Sequence, residues 1–181
     1  MTEKDVVPVK MAHIVLKTKD RERLKSWYET VFHTTELFQN EFLTFLTYDD
    51  EHHRFAIAQL PPDSPDLDSR SVGVAHWAYS FATMGELVAT YERLKAAGIE
   101  PYFPVNHGMT ISMYYRDPDG NEIEFQVDRY ESPEDCKACF DTDAFSKNPI
   151  GNPFNPDVFS AEIKSGASTD DAIVKAEAAT A

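Results

Sequence analysis

From Met11 to Val127 the apolar residues recur with two periods, one suited to strands and one to helices, and their order repeats once. The run AHIVLKT alternates every second residue, as a half-buried strand does. In the following DRERLKSWYETVF, Leu24, Trp27, Tyr28 and Val31 fall on one helical face. Three strand-like runs come next: ELFQ, FLTFLTY and RFAIAQL. The second half opens with another strand, VAHWAYSF. GELVATYERLKAAG then places Leu87, Val88, Tyr91 and Leu94 on one helical face, with Gly98 as its stop. EPYFPV, TISMYYRD and NEIEFQV supply the remaining strands. Both halves read βαβββ. The pattern predicts an α+β fold of paired modules, about residues 11–60 and 72–128, within one domain over residues 1–130.

The halves are separated by PPDSPDLDSR, a Pro/Asp/Ser stretch that neither strand nor helix would tolerate. After Val127 the alternation is lost, and residues 131–181 read as a C-terminal arm. SPEDCKACFDTDAF begins with a Ser-Pro-Glu-Asp cap signature and predicts a short helix. NPIGNPFNPD is turn-rich, and DVFSAEIKSG predicts a last helical piece. The terminal GASTDDAIVKAEAATA is small and polar enough to be expected mobile. The arm is expected to pack on the paired modules or on a second subunit.

Composition narrows the partners more than the chemistry. A chain of 181 residues can bury a real core, and its aromatic content excludes wholesale disorder. The formal net charge of -14 argues against nucleic acid or an anionic membrane surface as partner. No apolar run approaches the roughly 20 residues that a membrane span needs. The start, MTEKDVVPVKM, lacks the apolar core of a signal peptide, so a cytoplasmic location is expected. The only cysteines, Cys136 and Cys139, form one CKAC pair. A zinc site needs a second pair, so they read as two reduced thiols.

Strand parity brings out a candidate metal site. His13, Val15 and Lys17 share one face of the first strand, opposite Ala12, Ile14 and Leu16. His76, Ala78 and Ser80 face away from Trp77, Tyr79 and Phe81, and Glu122, Glu124 and Gln126 away from Ile123, Phe125 and Val127. Each strand thus has one apolar face, suited to packing under a helix, and a second face that bears a potential ligand. A mixed sheet curled into a barrel-like shape would present His13, His76 and Glu124 to a common point. Two imidazoles and one carboxylate leave open positions on a divalent ion, the arrangement favoured by non-haem iron(II) oxygen chemistry. A carboxylate between Ile123 and Phe125 also needs a partner, because an unpaired buried charge is costly. Glu122 follows the turn directly and is expected to be exposed.

At these residues the sequence resembles the vicinal oxygen chelate superfamily of glyoxalases, fosfomycin-resistance enzymes, bleomycin-binding proteins and extradiol dioxygenases. The segment DPDGNEIEF, Asp117 to Phe125, is close to the superfamily's usual ending, and the resemblance covers Met11 to Val127. It implies that His13, His76 and Glu124 are the metal ligands. The extradiol branch has a longer signature: a small or apolar residue, a His, an apolar-Tyr pair, then an acidic-Pro-x-Gly turn leading to the Glu. Val105, His107, Met113-Tyr114, Asp117-Pro118, Gly120 and Glu124 match it with the spacings intact. The same branch carries a His-His pair at the end of the first half, matched by His52-His53.

The resemblance implies ring cleavage of a catechol-type substrate by O₂ at iron(II), with manganese the less expected metal. It implies His53 as the acid/base, since an imidazole accepts and returns a proton near neutral pH. His52 is then a flanking residue. Parity alone does not choose between the two, because a bulge or turn resets the alternation. Tyr114 is implied to donate a hydrogen bond to a substrate oxygen, and His107 to close over the substrate and orient that oxygen. The chain departs from the better-known extradiol enzymes in holding only one copy of the duplicated domain, so the substrate, monocyclic or biaryl, stays open. A glyoxalase-like isomerase or lyase needs neither the His pair nor the His107–Tyr114 combination. A metal-free sequestering protein would dispense with one or more ligands. A small metalloenzyme with an extended arm suggests a homodimer or larger oligomer.

Overall fold

A computed structural model describes residues 6–180 of the chain. It divides into two compact units, the first ending at Leu67 and the second beginning at Asp68, within the Pro/Asp/Ser stretch.

The first unit is one βαβββ module: β1 (Ile14–Thr18), α1 (Arg21–Phe32), β2 (Thr35–Gln39), β3 (Leu43–Thr47) and β4 (Phe55–Gln59). Its mixed sheet has the order β1-β4-β3-β2, with β1 parallel to β4 and the other pairs antiparallel. The parallel pair needs a crossover, and α1 supplies it. Asp20 caps α1, its carboxylate accepting from the Arg23 amide at 3.1 Å, so one orphan donor of the first turn is satisfied. The apolar stripe of α1 then buries Leu24, Tyr28 and Val31 with Leu16, Leu46, Phe55 and Ile57 of the sheet. Tyr28 meets Phe55 edge to face, ring centroids 4.6 Å apart. Leu24 has no exposed surface. Leu24→Ala is expected to destabilise this unit by about 2–5 kcal/mol, read as a lowered denaturant midpoint with the slope unchanged.

The second unit repeats the module as β5 (His76–Ser80), α2 (Met84–Ala96), β6 (Phe103–Asn106), β7 (Thr110–Arg116) and β8 (Glu122–Asp128). A capping box starts α2: the Thr83 hydroxyl accepts from the Glu86 amide, and the Glu86 carboxylate from the Thr83 amide at 3.0 Å. Leu87, Val88, Tyr91 and Leu94, the predicted stripe, are buried. The arm follows with α3 (Pro133–Ala138), a 3₁₀ turn (Cys139–Asp141), α4 (Asp143–Lys147), β9 (Asn152–Pro153), α5 (Pro156–Lys164) and α6 (Thr169–Ala178). Ser132 caps α3, as its signature predicts. The sheet order is β5-β8-β7-β6-β9, β5 being parallel to β8. The paired βαβββ modules are those the pattern predicts, and each carries its own open mixed sheet.

The arm belongs to the second unit. Its α5 lies on α2, where Tyr91 donates to Asp157 at 2.7 Å and the Ser160 hydroxyl to Glu92 at 2.7 Å. The final stretch, expected to be mobile, contains α6. Ser168 caps it by accepting from the Asp171 amide, and Ala172, Ile173 and Ala176 recur at helical spacing and are buried against α5. The low apolar content of this stretch is misleading, because small side chains permit close helix packing. Among the described residues no helix is long and apolar enough to cross a membrane.

Candidate functional site

In the first unit, β1 turns Leu16 and Thr18 under α1 and leaves Val15 and Lys17 exposed on the other face. His13 immediately precedes the strand, on that second face, and is exposed. One side chain holds it there. The Arg54 guanidinium donates to the carbonyls of Met11 at 3.0 Å and Ala12 at 3.1 Å, and to the Asp49 carboxylate at 2.8–3.1 Å. The segment carrying His13 is thereby pinned beside the turn that carries His52 and His53. The rings of His13 and His53 lie 4.3 Å apart, and His53 also stacks on Phe45 at 4.6 Å. His52 Nδ1 is 2.7 Å from His53 Nδ1, but the His52 side chain is 65% exposed. Of the pair, His53 is the one enclosed between His13 and Phe45. Burial, followed by the neighbouring His13 and His52, lowers the His53 pKa, so its neutral, proton-accepting form is favoured.

In the second unit the site is built on three adjacent strands. Asp117 and Gly120 shape the turn between β7 and β8. The buried Asp117 carboxylate accepts from the amides of Asp119 and Asn121, each at 2.9 Å, and from Asn121 Nδ2 at 2.8 Å. Gly120 takes φ 89°, a conformation that other residues rarely adopt. The turn fixes a register in which Tyr114 lies opposite Glu124 and Arg116 opposite Glu122. On the other side of β8, His76 pairs with Glu122 and Ala78 with Glu124. His76, Tyr114 and Glu124 therefore share the face turned away from α2. The Asp-Pro-x-Gly pattern thus sets which side chains stand next to the carboxylate.

Glu124 is 5% exposed, and its carboxylate is surrounded by polar groups. His76 Nε2 lies 3.1 Å from one oxygen, and His107 Nε2 lies 3.8 Å from the other. Tyr114 stands opposite Glu124 on the neighbouring strand, and its hydroxyl is 3.1 Å from His107 Nε2. Burial raises the Tyr114 pKa, and the Glu124 charge adds to the rise. The phenol is held protonated, as a hydrogen-bond donor. The His76 ring meets the Tyr114 ring edge to face, centroids 5.1 Å apart. The second unit thus brings together His76, His107, Tyr114 and Glu124, while His13 and His53 belong to the first.

Two features of the second unit escape the sequence. Glu122, expected to be exposed, is half-buried. It accepts from the Tyr102 hydroxyl at 2.6 Å and from the Arg116 guanidinium at 2.9 Å, with that guanidinium 4.0 Å above the Tyr102 ring. The strand parity of Arg116 and Glu122 could have pointed to this pair. The second is a backbone group: His107 Nδ1 lies 2.7 Å from the Ile150 carbonyl oxygen, which no side-chain motif reveals. Within either unit, no group of three or more His, Cys, Asp or Glu among the described residues is arranged around a metal position. Cys136 and Cys139 are free thiols.

Residues 10–125 match the family model described as the Glyoxalase/Bleomycin resistance protein/Dioxygenase superfamily. The chain belongs to this superfamily. It is 38% identical over 161 residues, 89% of this chain and 85% of the relative, to biphenyl-2,3-diol 1,2-dioxygenase 2 of Rhodococcus globerulus. The same identity relates it to biphenyl-2,3-diol 1,2-dioxygenase 3 of that organism, over 88% of this chain and 85% of the relative. Among solved structures, a fosfomycin resistance protein of Listeria monocytogenes matches with a TM-score of 0.53 at 21% identity, over 72% of this chain and 99% of that one. At that identity the likeness speaks to the superfamily fold alone.

Proposed function

We propose that this superfamily member is an extradiol dioxygenase that opens the ring of a catechol-type substrate with O₂ at a non-haem iron(II) centre held by His13, His76 and Glu124. The observation that carries the reading is the convergence of His76 and Tyr114 on the buried Glu124 carboxylate, with His107 beside the same hydroxyl. The likeness to two relatives named biphenyl-2,3-diol 1,2-dioxygenases supports the reaction class.

The spacing of His76 and Glu124 supports their part in this reading. Two atoms bound side by side at bond lengths of about 2.1 Å stand roughly 3 Å apart, and His76 Nε2 and Glu124 Oε2 are separated by 3.1 Å. An imidazole-and-carboxylate set suits a divalent ion of this kind, and when bound it supplies the means of bringing catecholate and O₂ to react. The remaining chemistry belongs to side chains of this chain. Tyr114, held protonated, donates to a substrate oxygen and favours its anionic form. His53, held neutral, accepts the catechol proton and returns it during cleavage. His107 orients the substrate oxygen that Tyr114 meets.

Anaerobic reconstitution with iron(II), followed by a panel of monocyclic and biaryl catechols under air, is expected to give O₂ uptake and a yellow ring-fission product. Parallel loading with manganese(II) ranks the metals. A glyoxalase-like isomerase or lyase would instead turn over its substrate without oxygen, and a sequestering protein would bind a small molecule unchanged. Absence of catechol-dependent O₂ uptake from the iron-loaded protein would remove the dioxygenase reading.

A further inference from the structure

Between α4 and α5 the arm closes on the residues around Tyr114. Asn148 closes a turn there, its side chain donating to the Gly151 carbonyl at 2.9 Å and accepting from the Gly151 amide at 3.1 Å. Gly151 has φ 90°, and a Cβ on it would stand 2.0 Å from the Asn106 carbonyl oxygen and 2.8 Å from His107 Cα. Only glycine lets the chain lie this close to the Asn106–His107 peptide. Beyond it, Asn152 and Pro153 pair with Asn106 and Val105 of β6, and Phe154 is buried. Asn106 is itself held, donating to Glu177 of α6 at 2.8 Å and accepting from the Gly108 amide at 2.9 Å.

This close approach places the Ile150 carbonyl oxygen 2.7 Å from His107 Nδ1. A carbonyl can only accept, so Nδ1 carries the proton, and a neutral ring then has none on Nε2. Nε2 is the nitrogen turned toward the Tyr114 hydroxyl and Glu124.

We propose that the segment 148–153 is a positioning device for His107: it fixes the Nδ1–H tautomer and the ring's direction, so that Nε2 is the nitrogen presented to the Tyr114 hydroxyl and the substrate. The inference rests on the catechol reading above and extends it to a part of the chain beyond the residues the family model matches. A segment that served only to cover β6 would need the strand pairing and Phe154. It would need neither a carbonyl at an imidazole nitrogen nor a glycine against His107 Cα.

The test reads the tautomer directly. In metal-free protein labelled with ¹⁵N at its six histidines, long-range ¹H–¹⁵N correlations above about pH 8, where an ordinary imidazole is neutral, report which nitrogen is protonated. The His107 signals are assigned from their loss in His107→Gln. The wild type is expected to show protonated Nδ1. Gly151→Ala, which pushes the segment off His107, is expected to give mixed or inverted tautomers, and in the iron-loaded enzyme to lower kcat on the order of 10²-fold, the cost of a misplaced reacting group. Asn148→Ala removes the side-chain hydrogen bonds of the turn without adding bulk, and should move both readouts the same way by less. It serves where Gly151→Ala fails to fold. Ser160→Ala, on α5, removes the buried hydroxyl bonded to Glu92 of α2 and should lower Tm while leaving tautomer and kcat unchanged.

A wild-type ring protonated at Nε2 overturns the proposal, as does a folded Gly151→Ala variant with the wild-type tautomer or with wild-type kcat. If the iron-loaded wild type shows no catechol-dependent O₂ uptake, the dioxygenase reading falls with the catalytic role assigned to the segment. The tautomer measurement still decides whether the segment orients His107.

Discussion

Replacing Glu124 by Ala is expected to strip the protein of its iron, and replacing His13 or His76 by Ala to do the same. Each change removes a donor outright, so the loss of affinity should exceed the 10–100-fold that the loss of an outer hydrogen-bond partner costs a metal site. Iron content after dialysis against excess iron(II) is the readout, and O₂ uptake with catechol should vanish in parallel. Glu124→Ala has a second effect, because it leaves His76 Nε2 and the buried Tyr114 hydroxyl without the carboxylate they share. Its Tm should therefore fall further than that of His13→Ala, since His13 is exposed on the open face of its own sheet. The His13 variant is the sharpest of the three. Stoichiometric iron in His13→Ala would remove that residue from the ligand set and confine the metal to residues of the second unit.

His53→Phe is expected to behave in the opposite way, keeping its iron while losing turnover by roughly 10²- to 10⁴-fold in kcat, the range that a positioned acid/base contributes. The substitution suits the place. His53 stacks on Phe45 at 4.6 Å and lies 4.3 Å from the His13 ring, so another flat ring preserves these contacts and removes only the titrating nitrogens. His52→Phe should be nearly silent, since that side chain is mostly exposed. Iron-replete His53→Phe with normal ring cleavage would take the acid/base role away from this residue, and a defect in His52→Phe of similar size would transfer it.

The fold, and the strand faces that carry these residues, were legible in the sequence for a physical reason. Period-two alternation states which side chains share a face, and it puts His13 with Val15 and Lys17 and Glu124 with Gln126. The helical stripes of α1 and α2 were equally local signals. What parity could not do was choose between His52 and His53, which stand in a turn just before β4 where no alternation applies. Glu122 looked exposed because its neighbours in sequence form a polar turn. Its partners Arg116 and Tyr102 come from β7 and the approach to β6, and only the sheet register brings them beside it. The helix α6 was hidden by the small size of Ala172 and Ala176, residues that contribute little to an apolar count and much to close packing. Arg54 holds backbone carbonyls, and the Ile150 carbonyl is itself backbone, so neither partnership leaves a mark in the pattern of side chains.

The turn from Asp117 to Asn121 has a bearing on how such a chain can diverge. Substitution at many surface positions would leave the Tyr114–Glu124 pairing in place, because strand register does not depend on surface side chains. Inserting or deleting one residue in that turn would slide β7 past β8 by one position and bring Ile123 or Phe125 opposite Tyr114. The chemistry would be lost while almost every residue survived. In this hairpin the inherited quantity is a length, and lineages can rewrite its lettering far more freely than its spacing.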